Sequence, residues 1–136
     1  MPDFLVPYAS TLAAFVCLGG LFLVQVLVSD VVAIRAGHVP GTPIAGGHAD
    51  LVFRTTRALA NTNENLAIFV LLSLSAVLLG ASATWTNRLA WTFVLARAGH
   101  MLAYYADQRT LRSAIFTLGV VALVGLLVVS IAALCA

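Results

Sequence analysis

The sequence predicts an all-α integral membrane protein, a bundle of four transmembrane helices with antiparallel neighbours. Three observations predict it. The 136 residues are 62% hydrophobic and only 9% charged, against roughly 25% charged in a soluble domain. Four stretches each approach or exceed the roughly 20 mostly apolar residues that a span needs. The breaks between them are short turns or are rich in glycine and proline. Lipid admits only segments that satisfy their own backbone, so each stretch is a helix. The length suits a single membrane domain over residues 1–136.

The first helix runs from Tyr8 to about Arg35. It lacks a basic leader region and its apolar run exceeds that of a signal peptide, so it reads as a retained span. "AGHVPGTPIAGGHAD" (36–50) holds four glycines and two prolines and is a loop. The second helix covers Leu51 to Gly80, and "GASAT" (80–84) is a tight turn. The third covers Trp85 to about Asp107. After "DQRT" (107–110), the fourth runs from Thr110 to Leu134. Two short turns make the second, third and fourth helices antiparallel neighbours. Cys17 and Cys135 lie alone in apolar runs and read as packing residues. There is no metal-ligand cluster or disulfide framework.

All seven basic residues are arginine, and the formal charge is only +2, too small to suggest nucleic acid. Arg35, Arg54, Arg57, Arg109 and Arg112 cluster at the 36–50 loop and the 107–110 turn. The opposite side carries Arg88 alone. The positive-inside rule then makes that loop and turn cytoplasmic and puts both termini on the other side, where Trp85 and Trp91 are interface anchors.

The segment "FRTTRALANTNENLAIFVLL" (53–72) concentrates polar groups where the second helix enters the membrane. At 100° per residue Arg54, Arg57, Asn61, Glu64 and Asn65 share an arc of about 100°, with Asn63 opposite. The apolar part, Leu66 to Leu79, is too short to cross about 30 Å of hydrocarbon. The polar stripe therefore lies within the membrane and is expected to face a bundle or a water-filled cavity. The third helix repeats the i, i+3, i+7, i+10 spacing with Arg97, His100, Tyr104 and Asp107. Arg35, Arg54, Arg57, Arg97, Arg109 and Arg112 face only Asp30, Glu64 and Asp107 in this half of the membrane. The excess of arginine calls for a small ligand with more than one carboxylate, held by bidentate contacts, and Glu64 could hold an ammonium group. A plainer reading makes Arg57 and Glu64 a packing ion pair and the other arginines snorkelling anchors. Two matched stripes favour a site.

"RALANTNEN" (57–65) resembles the helix-2 signature of the MAPEG family, the membrane-associated proteins in eicosanoid and glutathione metabolism. Its Arg-Ala-x-x-Asn-x-x-Glu-Asn pattern falls on Arg57, Ala58, Asn61, Glu64 and Asn65. "RAGHMLAYYADQRTLRS" (97–113) resembles a second signature at Arg97, His100, Tyr104, Leu111, Arg112 and Ser113. The pattern is that of bacterial-type, microsomal glutathione transferase-like members, which implies a bacterial inner membrane. The resemblance implies a homotrimer that binds glutathione as a co-substrate between subunits. Arg57, Asn61, Glu64, Arg97, His100 and Tyr104 would hold it, with Arg35 at the end of the first helix and with Arg54 and Arg109 from the same arginine cluster. Arg112 would stabilise the glutathione thiolate and Ser113 would assist. The thiolate would attack a lipophilic electrophile or hydroperoxide drawn from membrane lipid. The chain departs from the pattern at Ile68 (proline in many members), Phe116 (tyrosine in some) and Arg109 (often proline), and Thr56 and Leu59 are neutral where several members carry a base. A non-catalytic trimeric module binding a lipid or partner protein stays open, as does a proton relay through His100, Glu64 and Asp107.

Overall fold

The structure, a computed structural model, describes residues 1–44 and 46–136. A short 3₁₀ segment, Asp3–Tyr8, leads into α1 (Ala9–Arg35). Three further helices follow: α2 (Leu51–Leu78), α3 (Ala83–Tyr105) and α4 (Arg109–Leu134). The sequence-based helix limits agree with these to within about two residues, the disagreement any assignment of frayed ends carries.

The ends are set by local chemistry. Asp50 caps α2, accepting the Val52 N–H at 2.9 Å, which satisfies one of the free donors of the first turn. Three helices close with the same paired backbone bonds, a residue in the left-handed region turning the chain out. Gly37 (φ 68°) does this after α1 and Gly80 (φ 66°) after α2. After α3 the position is filled by Asp107, at φ 53°, with Gln108 N–H bonded to Ala103 C=O at 2.8 Å. Asp is one of the few side chains tolerated there. Asp107 thus works as a helix stop, and its carboxylate lies 3.7 Å from the exposed Arg109 guanidinium.

Helix α3 is the most embedded element, packed on α4, α2 and α1. The core is built of Ala14 and Leu18 from α1, Phe69 from α2, Ala90, Phe93 and Val94 from α3, and Ala122, Leu123 and Leu126 from α4. Phe69 stacks on Phe93 with centroids 4.5 Å apart and meets Phe15 edge-on at 5.4 Å. Small residues let the backbones approach, as in membrane bundles generally. A Cβ on Gly125 would stand 2.7 Å from a Leu89 methyl. At the end bearing the termini, Asn87 donates to Pro7 C=O at 2.9 Å and accepts from Thr11 N–H at 3.0 Å. Tyr8 O–H donates to Ala81 C=O. These bonds pin the 3₁₀ segment and the start of α1 to the α2–α3 turn and the beginning of α3.

Among the described residues, three stretches are long and apolar enough to cross a membrane: Asp3–Arg35, Leu51–Leu78 and Arg109–Leu134. Helix α3, with 23 residues, spans about 34 Å at 1.5 Å per residue, so its length suffices. Its composition falls short because Thr86, Arg97, His100 and Tyr104 are turned inward and buried. The helix with the most protein around it needs the least lipid-compatible surface.

The α2 stripe divides between the bundle, where Asn61 and Asn65 are part-buried, and the outer surface of the single chain. The buried face of α2 carries Val52, Thr55, Ala58, Thr62 and Phe69, whereas Arg57 and Glu64 are exposed. The two do not form an ion pair among the described residues. Small residues, not the charged ones, define the face that meets the bundle, because only they let α1 and α3 come close.

Phe69→Ala is expected to destabilise the protein in detergent by about 3–5 kcal/mol, through the cavity left beside Phe93 and Phe15. Thermal unfolding should show it, with Phe69→Leu losing much less.

Candidate functional site

The site lies where α2, α3 and the first turns of α4 meet, and its floor is Arg97. That side chain is 1% exposed, the largest fully buried one in the protein. One guanidinium nitrogen donates to the Asn61 side-chain oxygen at 2.8 Å. The cation lies 5.4 Å from the ring centroids of Phe93 and of Phe116. Gly119 makes room for it, since a Cβ there would sit 2.7 Å from the guanidinium. A buried cation must be partnered or stacked, and this one is held by three helices at once. Asn61 and Arg97, expected on matched stripes of two helices, are thus directly bonded.

Above the floor, Asn61, His100, Tyr104, Arg112 and Ser113 line a cavity of about 280 Å³ with Phe116 and Thr117. His100 is 3% exposed. It meets Tyr104 edge-on at 5.0 Å and Phe116 at 6.0 Å. Its Nδ1 is buried and has no hydrogen-bond partner among the described residues, which calls for an explanation in a native site. The Arg112 guanidinium carbon lies 4.4 Å from the Tyr104 ring centroid. Ser113 Oγ donates to Arg109 C=O at 3.2 Å. About one turn deeper along the same helix pair, Asn65, Ile68 and Leu72 face Val120, Val124 and Leu127 across an apolar groove of about 270 Å³.

The remaining candidates lie elsewhere. Arg54 turns back to the loop, donating to His48 C=O at 2.7 Å and Ala49 C=O at 3.2 Å. Arg57 and Glu64 stand on the outer face of α2, and Arg35 is exposed at the end of α1. Arg109 is exposed beside Asp107. Of the named residues, then, six share one locus: Asn61, Arg97, His100, Tyr104, Arg112 and Ser113.

One residue there was not foreseen. His48 Nδ1 lies 3.2 Å from an Arg112 guanidinium nitrogen, so the 36–50 loop reaches across to α4. Its position had a readable signal. Asp50 is a helix cap, which fixes His48 two residues before the cap, at the end where α4 begins.

Residues 12–132 match the MAPEG family. The chain belongs to the MAPEG family. No curated protein matches it. The family match covers both signatures and all four helices apart from the outermost residues, so the chain is an integral membrane helical bundle of MAPEG type.

Asn61→Leu should leave the buried Arg97 cation without its hydrogen bond and cost about 2–3 kcal/mol, read as a lower unfolding temperature. Asn61→Asp keeps an acceptor at the same place and should retain most of the stability.

Proposed function

We propose that this MAPEG protein is a glutathione-dependent membrane transferase or peroxidase. The observation that carries this reading is the placing of Arg112. Its guanidinium stands at the cavity wall, over the Tyr104 ring and above the Asn61–Arg97 floor. A thiol of pKa about 8.5 is mostly protonated at neutral pH, and a neighbouring guanidinium shifts it toward the reactive thiolate. Ser113 lines the same wall, and its hydroxyl would have to turn from Arg109 C=O to donate to the sulfur or to a leaving oxygen. The thiolate attacks a lipophilic electrophile or hydroperoxide. The apolar groove beyond Phe116 supports a second substrate arriving from the bilayer.

The polar groups that would hold the rest of glutathione are divided. His100 and Tyr104 are buried within the chain, while Arg57, Glu64 and Arg35 face outward. Outward charges at membrane depth are costly unless covered, which supports a homotrimer in which a neighbouring subunit completes the site. The positive-inside rule puts the Arg112 end on the cytoplasmic side, and the chemistry fits a bacterial inner membrane.

The test is a glutathione titration of the detergent-solubilised protein, following both total binding and the ultraviolet absorbance of the thiolate. Wild type is expected to show the thiolate band, and Arg112→Ala to lose it by about tenfold, one pKa unit's worth. Binding without the band in wild type would overturn the catalytic reading and favour a binding module. Absence of binding would remove the glutathione site altogether. A second measurement addresses the outward face. Arg57→Ala should weaken glutathione binding by about tenfold, some 1.4 kcal/mol, with an unfolding temperature close to wild type. Unchanged affinity would mean that Arg57 only meets solvent or headgroups.

A further inference from the structure

The contact between His48 and Arg112 joins two segments 64 residues apart in sequence. An arginine can only donate, so in this contact the His48 Nδ1 accepts and the ring proton sits on Nε2. The imidazole is itself fixed. Its backbone carbonyl receives Arg54 at 2.7 Å, and its ring packs edge-on against Phe53 at 5.2 Å. It also lies at a 31° tilt to the Tyr104 ring, 6.3 Å between centroids. The chain next to it is closed by Asp50 N–H bonding to Gly47 C=O at 2.9 Å.

Arg112 needs such a hold. It sits in the first turn of α4, where the helix dipole opposes a positive charge. Its long side chain has considerable rotamer freedom to lose. Tyr104 supplies a face to stack on but no hydrogen bond to set the direction of the guanidinium. His48 supplies that direction.

We propose that His48 is a positioning residue for Arg112. It holds the guanidinium against Tyr104 at the cavity wall, and Arg54 and Phe53 hold His48. As a role in thiolate stabilisation this rests on the function proposed above, but the clamp itself does not. A guanidinium already placed meets a developing charge without reorganising. One left free spends most of its time in other rotamers.

The experiment compares wild type, His48→Ala and His48→Asn in detergent. Arg112 is labelled with phenylglyoxal and its modification rate read by peptide mass spectrometry, and the glutathione titration is repeated on the same samples. In His48→Ala the labelling of Arg112 is expected to rise about fivefold, the population change that one net hydrogen bond sustains. The thiolate band should fall by a similar factor while total glutathione binding changes little. In His48→Asn the side-chain oxygen takes the place of Nδ1, and both readouts should return toward wild type. A residue that merely fills space would not be rescued by the smaller amide. Unchanged labelling in His48→Ala overturns the proposal, as does His48→Asn behaving like alanine. If wild type binds no glutathione, the function proposed above falls, and the labelling alone still decides whether His48 clamps Arg112.

Discussion

Burial of the Arg97 cation is the constraint on which the functional end of the bundle depends. A guanidinium removed from water and lipid is tolerable only with a partner. Asn61 provides the hydrogen bond, Phe93 and Phe116 provide the faces, and Gly119 provides the space. These requirements fall on three different helices, so satisfying one cation fixes the relative placing of α2, α3 and α4. The cavity above inherits its walls from that arrangement. Phe116 is at once a face for Arg97 and a cavity wall, and Asn61 is at once its acceptor and a lining residue.

The same economy governs α2. Its inward face is small, with Thr55, Ala58 and Thr62 under the neighbouring helices, and its large charged residues look out. In a soluble protein that would be the ordinary division between core and solvent. In a bilayer the outer surface is hydrocarbon, so Arg57 and Glu64 have no comfortable surroundings on an isolated chain. The exposed leucines, valines and isoleucines of α1 and α4 fit lipid well. The charged outer face of α2 does not, unless something covers it.

Much of the fold was legible in the sequence because its punctuation is chemical. Gly37 and Gly80 stop helices as glycines do, and the run of glycines and prolines in 36–50 could only be a loop. The pairing of Asn61 with Arg97 was within reach, since both lay on stripes of equal spacing at matching depth. The direction of the α2 stripe was not. A helical wheel gives angles between residues on one helix, and it does not say which sector meets a neighbour. That sector is chosen by the smallest residues, and Thr55, Ala58 and Thr62 carried the signal that Arg57 and Glu64 drowned out. Asp107 was counted with the charges, although its position after α3 makes it a turn residue. His48 escaped because a contact across 64 residues leaves no periodicity to read.

The two arginines of the site are therefore held in opposite ways. Arg97 is buried between three helices by one hydrogen bond to Asn61 and two aromatic faces, its Nε unpaired among the described residues, and moving it would disturb all three. Arg112 is held by a stack on Tyr104 and a single hydrogen bond from a loop, contacts that a ligand can exchange without unpacking the bundle. A charge that builds a cavity should be rigid. In the function proposed above, Arg112 must be directed before the ligand arrives and free to shift its partner when it does. The neutral nitrogen of His48 suits that need better than a carboxylate would. A carboxylate would bind the guanidinium more strongly and compete with the incoming anion for the same charge.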